Sequence, residues 1–161
     1  MKEAPASVEV RVDCAGWDEF NCEPLAGRCF AAVDAHKGPL KRPLCVLFTD
    51  DDAVQRLNAQ FRGDNRPTNV LSFPPGDGIW PDLDYLGDIT LAFHVCRDEA
   101  AAKNVPLEHH AAHLLVHGML HLIGYDHETD GAAFEMERCE TAILAALGVA
   151  DPFGAPLEQK A

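Results

Sequence analysis

Three histidines set the chemistry open to this chain. They lie in the run His117-Gly118-Met119-Leu120-His121-Leu122-Ile123-Gly124-Tyr125-Asp126-His127. An α-helix turns once in about 3.6 residues, so His117 and His121 stack on one face. Gly124 suits the left-handed conformation that ends a helix, and a turn there brings His127 back over the two helical imidazoles. Three neutral nitrogens aimed at one point, with a fourth position open, are the ligand set of a catalytic zinc. We therefore expect one Zn2+ per chain on His117, His121 and His127, with water in the open position. Other divalent ions, nickel among them, also accept imidazole. The alternative is a stripe of packed or surface histidines without metal. Burying three imidazoles together without a partner is costly, however, and a bound ion relieves that cost.

The spacing matches the metzincin protease pattern H-E-x-x-H-x-x-G-x-x-H, except that Gly118 stands where those proteases carry their glutamate base. A site without that carboxylate lacks the group that deprotonates the attacking water in peptide hydrolysis. A cytosolic metallopeptidase is thus a reading that Gly118 opposes. A hydroxide generated by zinc near neutral pH can still attack a substrate activated by other charges, as a phosphodiester is.

Neighbouring residues carry weaker signals. His113 lies one turn before His117 on the same stripe, as a substrate-facing or ligand-supporting group or as a packed histidine. Asp126 can orient an imidazole or cap the turn. His109 and His110, near the helix start, are expected in solvent. Arg62, Arg66, Lys41 and Arg42 are the local cations open to an anionic substrate. Arg62 stands out, because it ends an amphipathic helix and begins the turn into a strand. A guanidinium there can clamp a phosphate in bidentate fashion, or it can pair with one of the many surface acids.

The elements that must hold these residues follow from patterning. Val8, Val10 and Val12 alternate with Glu9, Arg11 and Asp13, which predicts a strand with one wet face. Leu25, Cys29, Ala32 and Val33 recur at helical spacing between Asp18 and about Lys37, and Gly38-Pro39 closes that helix. Leu44 to Phe48 reads as a buried strand. Thr49 or Asp50 caps a helix with Val54, Leu57 and Phe61 on its apolar face, ended by Gly63. Asn69–Phe73 and Leu86–Phe93 read as strands, and residues 74–84 between them as a loop, either a flap or a surface excursion. His94–Lys103 is a short helix. Pro106–Ile123, which carries the histidines, is apolar nearly all round and belongs in the middle of the domain. A last helix runs from about Asp130 to Leu147, with Met136, Cys139, Ile143 and Leu147 on one face. These elements predict an α+β fold: a single domain over residues 1–150, with about four strands in a mixed sheet, surrounding helices and a central buried histidine-bearing helix. Residues 151–161 are expected to form a loosely held tail.

Bulk properties narrow the class. The chain has 161 residues, 47% of them hydrophobic, enough for one compact core. No run approaches the roughly 18 apolar residues of a membrane span, and the start lacks the apolar stretch of a secretory signal. Six scattered cysteines without a C-x-x-C pair read as buried thiols, so a cytoplasmic location is expected. The formal net charge of −13 argues against indiscriminate nucleic-acid binding and leaves room only for a local basic patch.

Taken together, His117-Gly118-x-Leu120-His121-Leu122-x-Gly124-Tyr125-Asp126-His127, Asn58-x-x-Phe61-Arg62-Gly63-x-x-x-Pro67-Thr68-Asn69-Val70-Leu71-Ser72-Phe73 and Leu86-Gly87-Asp88-Ile89 resemble the signatures of the YbeY-type endoribonucleases. The last helix, with Met136, Glu140 and Leu147-Gly148, also fits that family. The resemblance spans roughly residues 46–148. It implies a single-strand-specific, metal-dependent endoribonuclease acting in 16S ribosomal RNA 3′-end maturation and ribosome quality control. It also implies zinc on the three histidines and a role for Arg62 in RNA processing. Expected partners are ribosomal RNA on the small ribosomal subunit and protein adaptors; neither membrane nor DNA is expected. The acidity of the chain favours substrate delivered on a ribosome or by a protein partner over tight binding of free RNA. The remaining alternative is a ribosome-associated binding factor whose metal is structural.

Overall fold

The computed structural model describes residues 8–75, 84–126 and 128–153. The strands are β1 (Val8–Val12), β2 (Leu44–Thr49), β3 (Val70–Phe73) and β4 (Asp88–Ala92); the helices are α1 (Cys22–Lys37), α2 (Asp51–Arg62), α3 (Phe93–Lys103), α4 (Leu107–Leu122) and α5 (Asp130–Ala146). The sheet order is β1-β2-β4-β3. β1, β2 and β4 run parallel, and β3 pairs antiparallel with β4 at one edge. The expected four-stranded mixed sheet in an α+β domain is what forms.

Parallel neighbours need a crossover, and α1 supplies it between β1 and β2. In β2, Leu44, Val46 and Phe48 are buried toward α1 and α4, whereas Cys45 and Leu47 face the other side and are half-buried. β4 is buried along its whole length, as befits a strand flanked on both edges and covered on both faces.

α1 starts at Cys22 rather than Asp18, because Ala15–Glu19 form a separate 3₁₀ turn. Trp17 in that turn is fully buried and donates its indole N–H to the Thr49 carbonyl at 2.9 Å. It packs edge-on against Phe48 and Phe93, with centroids 5.2 and 5.4 Å away. Truncating such a side chain to alanine costs about 3–5 kcal/mol.

Asp50 caps α2, its carboxylate accepting from Ala53 N–H at 2.8 Å, and Gly63 ends the helix with φ +71. The next turn is pinned by buried Asn58, whose amide donates to the Arg66 carbonyl at 2.8 Å. Arg62 is thereby held at a fixed corner between α2 and β3. The expected 74–84 loop falls mostly at 76–83, outside the described residues.

α4 is the buried centre that its all-round apolarity predicts: Leu107, Ala111, Leu114, Leu115, Val116, Met119 and Leu120 are all buried. Gly118 faces the sheet, and a Cβ there would lie 2.9 Å from Ser72 Oγ and 3.1 Å from Ile89 Cδ1. Asp151–Phe153, the first residues of the expected loose tail, are held in place: Thr141 Oγ1 and the Phe153 N–H both donate to the Asp151 carboxylate. Among the described residues no helix is long and apolar enough to cross a membrane.

Candidate active site

α4 presents its histidines toward α5 and the β3 edge. Their protons are assigned by what faces them. Glu140 of α5 is buried, and its two oxygens take different partners: His117 Nδ1 donates to Oε2 at 2.5 Å and His113 Nε2 to Oε1 at 3.2 Å. Burial alone would push this carboxyl up. Hydrogen bonds from His113 and His117, reinforced by the charge of those rings when they are protonated, outweigh that effect and hold Glu140 down at about 2. His121 Nδ1 donates to the Tyr125 carbonyl at 3.0 Å. That carbonyl is available because Gly124 takes φ +113 and turns the chain back beneath the helix.

With both Nδ1 protons committed, the neutral rings of His117 and His121 carry their lone pairs on Nε2. These two nitrogens lie 3.1 Å apart on nearly perpendicular rings. Two lone pairs that close repel unless a proton or a cation lies between them. Outer nitrogens tied to a carboxylate and a carbonyl, and inner ones converging, are the arrangement of imidazoles that bind a divalent ion. The donor set therefore fits the expected metal. The third expected ligand, His127, lies outside the described residues.

Across from the imidazoles is the β3 edge. A cleft of about 410 Å³ is lined by Arg62, Ser72 and Pro74 on one side and by His117, His121 and Leu122 on the other. The Arg62 guanidinium donates to the Ser72 carbonyl and sits over the Phe73 ring, 5.0 Å from its centroid. The cleft thus sets a held cation against an imidazole pair.

The remaining candidates lie elsewhere. His113 does not line this cleft. It sits behind His117 in a smaller cavity of about 240 Å³ with Lys103, Glu140 and Phe153, and its buried Nδ1 has no hydrogen-bond partner. The Asp126 carboxylate accepts from the Glu128 N–H at 3.1 Å and so caps the turn. Arg66 forms a two-pronged pair with Asp64, at 2.8 Å on each prong, and Arg42 approaches Asp84 at 3.6 Å.

His110 corrects the expectation of a solvated side chain. It is buried, and its Nε2 donates to Glu99 of α3 at 2.8 Å; burial lowers its pKa, with Glu99 opposing the shift. Glu99 also accepts from the Asn69 amide at 2.9 Å, which ties the start of β3 to α3 and α4.

Glu140 is the residue that site reasoning from the sequence missed. Its signal was present: it lies four residues after Met136 and three before Ile143, a charge within the apolar stripe of α5.

The molecule is thus a mixed-sheet α+β domain whose edge strand faces an H-x-x-x-H helix across an open cleft, with a guanidinium on the opposite lip. The profile described as Endoribonuclease YbeY matches residues 11–148, and the chain belongs to that family. Proteins named Endoribonuclease YbeY are similar to it. One from Nitrobacter winogradskyi is 50% identical over 166 residues, covering 97% of this chain and 86% of that protein. One from Jannaschia sp. is 44% identical over 158 residues, covering 91% and 99%. One from Rhodopseudomonas palustris is 52% identical over 125 residues, covering 76% of this chain but 65% of the relative's length. The solution structure of TM1509 from Thermotoga maritima shares the fold, with a TM-score of 0.56 at 23% identity over 91% of this chain and 99% of that one.

Proposed function

We propose that this chain is a zinc-dependent, single-strand-specific endoribonuclease that acts in the cytoplasm on 16S ribosomal RNA 3′-end maturation and ribosome quality control. The family supports the nuclease part of this reading. The observation that carries it is the shared cleft of Arg62, His117 and His121. His117, His121 and His127 would hold the ion, which when bound supplies Lewis acidity and water activation.

The chain's own residues do the rest. Glu140 and the Tyr125 carbonyl keep the Nδ1 protons of His117 and His121 and so fix both rings with Nε2 toward the cleft. Arg62, steered by the Ser72 carbonyl and the Phe73 ring, faces the same space as a charged donor for the non-bridging oxygens of a phosphodiester. His113 acts through Glu140, whose second oxygen accepts its hydrogen bond. Gly118 leaves the site without a peptidase base. The substrate is ribosomal RNA presented on the small ribosomal subunit, with protein adaptors where the acidic surface needs them.

The test compares wild type and Arg62→Ala, shown to hold equal zinc, on a ribosomal-RNA 3′-end fragment within ribosomal particles. Wild type cuts, a chelator stops it, and the zinc-replete mutant cuts about 100-fold less efficiently. If neither protein cuts while both bind the particle, the metal is structural and the chain is a binding factor. Cyclic phosphate at the product ends would exclude direct water attack as the only step.

A further inference from the structure

The α5 segment and the groove beyond Leu122 differ sharply in charge. Toward α5 the chain carries Glu128, Asp130, Glu135 and Glu137. On the other side, beyond Leu122, lies a groove of about 650 Å³ lined by Lys37, Lys41, Arg42, Leu86, Ile123 and Tyr125.

The groove adjoins the cleft in two places. Leu122 lines the cleft and Ile123 the groove, and Leu86 of the groove precedes Gly87, where Leu122 methyls lie 2.7 and 3.2 Å from the position a Cβ would take. Tyr125 belongs to both regions: its carbonyl fixes His121, and its ring faces the Lys37 ammonium at 5.3 Å.

Three of the chain's 13 lysines and arginines fall within residues 37–42. Arg11, Arg28, Arg66, Arg97 and Arg138 each sit against a carboxylate of their own. Lys37 and Lys41 have none within ion-pair distance among the described residues, and Arg42 has only a 3.6 Å approach to an Asp84 that is itself 86% exposed. The loop bearing these cations is fixed before any ligand arrives. Asp34 takes the Gly38 N–H on its carbonyl at 2.8 Å and the Leu40 N–H on its carboxylate at 2.7 Å, and Leu40 is buried.

We propose that the groove of Lys37, Lys41, Arg42 and Tyr125 binds the backbone of single-stranded RNA on one side of the scissile position, with a base stacked on Tyr125. The inference rests on the endoribonuclease reading of the adjoining cleft. Cations that follow a backbone beside an aromatic platform are how proteins hold single strands without reading sequence. In a chain of net charge −13, cations gathered in one place give RNA a directional path that the average charge denies it.

The test uses the full-length, zinc-loaded protein and a fluorescein-labelled single-stranded oligouridylate, with Kd followed by anisotropy across a salt titration. One triple variant is Lys37→Gln, Lys41→Gln and Arg42→Gln. A second, Arg11→Gln, Arg97→Gln and Arg138→Gln, removes the same charge from elsewhere. The groove triple weakens binding at least tenfold and flattens the log Kd against log salt slope by roughly 2, as three lost phosphate contacts require; the control triple moves both far less. Equal effects of the two triples, or no RNA binding by wild type, overturn the proposal, and equal effects together with lost binding to an acidic protein would give the groove to that partner. Cleavage is read in the same samples. RNA that binds through the groove but is never cut overturns the nuclease reading and leaves the groove standing.

Discussion

Two buried carboxylates, Glu140 in the histidine cluster and Asp88 at the head of β4, respond to burial in opposite ways. Both are nearly inaccessible, at 1% and 8%. Glu140 receives two imidazole donors, which hold it down at about 2 against the effect of burial. Asp88 receives one neutral donor, the Tyr85 hydroxyl at 2.5 Å; here burial wins and the carboxyl is pushed up. The same physics yields a charge that the fold relies on in one place and one that it tolerates in the other. Only the first is wired to the residues lining the cleft. A buried acid marks a site when its partners can be charged and themselves face open space.

Glu140→Ala does the most damage. It strips two imidazoles of their acceptor, which costs roughly 3–5 kcal/mol for a broken buried pair and lowers Tm by roughly 10 °C in a chain of this size. Zinc affinity, measured by competition with a chromogenic chelator, falls about 10–100-fold. Glu140→Gln restores only part of either loss, because its amide nitrogen faces one of the two donors. If Glu140→Ala is as stable as wild type, the asymmetry between the two acids is not real.

Arg62→Ala separates function from stability. The side chain is exposed, and a carbonyl and a ring face are among its contacts. Its loss lowers kcat/KM about 100-fold, while Tm in a thermal melt stays within about 2 °C.

The smallest effect comes from Asp88→Asn. The folded pKa of Asp88 lies above the unfolded value of 3.8, so the charged form opposes folding. The penalty is absent below 3.8 and complete above the raised folded value, so Asp88 lowers stability as pH rises through that window. Asparagine can still accept from Tyr85. Asp88→Asn therefore gives a small rise in Tm at pH 7 that disappears in acid, where the aspartic acid is neutral as well. A fall in Tm at pH 7 would show that the Asp88 charge contributes to the fold.

Much of this arrangement is legible in the chain because its signals are local. The Val8–Val12 alternation, the Asp50 cap, the Gly63 stop and the all-round apolarity of α4 each lie within one element, and each element forms. The His117–His121 spacing is a local fact as well. What escapes the sequence depends on partners distant in the chain. His110 is buried because Glu99 comes to it from α3, and Glu140 meets His117 across 23 positions. Trp17 anchors the core from a five-residue 3₁₀ turn too short to show a period, so the helix expected from Asp18 starts inside that turn and leaves Trp17 out.

Gly118 has a consequence for how such enzymes diverge. The space beside it is filled by Ser72 Oγ and the Ile89 side chain, so any side chain placed there makes those two neighbours shift. A glutamate at this position would press on the β3–β4 layer that also carries the Arg62 lip of the cleft. The spacing between two layers, as much as the H-x-x-x-H motif, thus sets which side chains can stand beside the paired histidines.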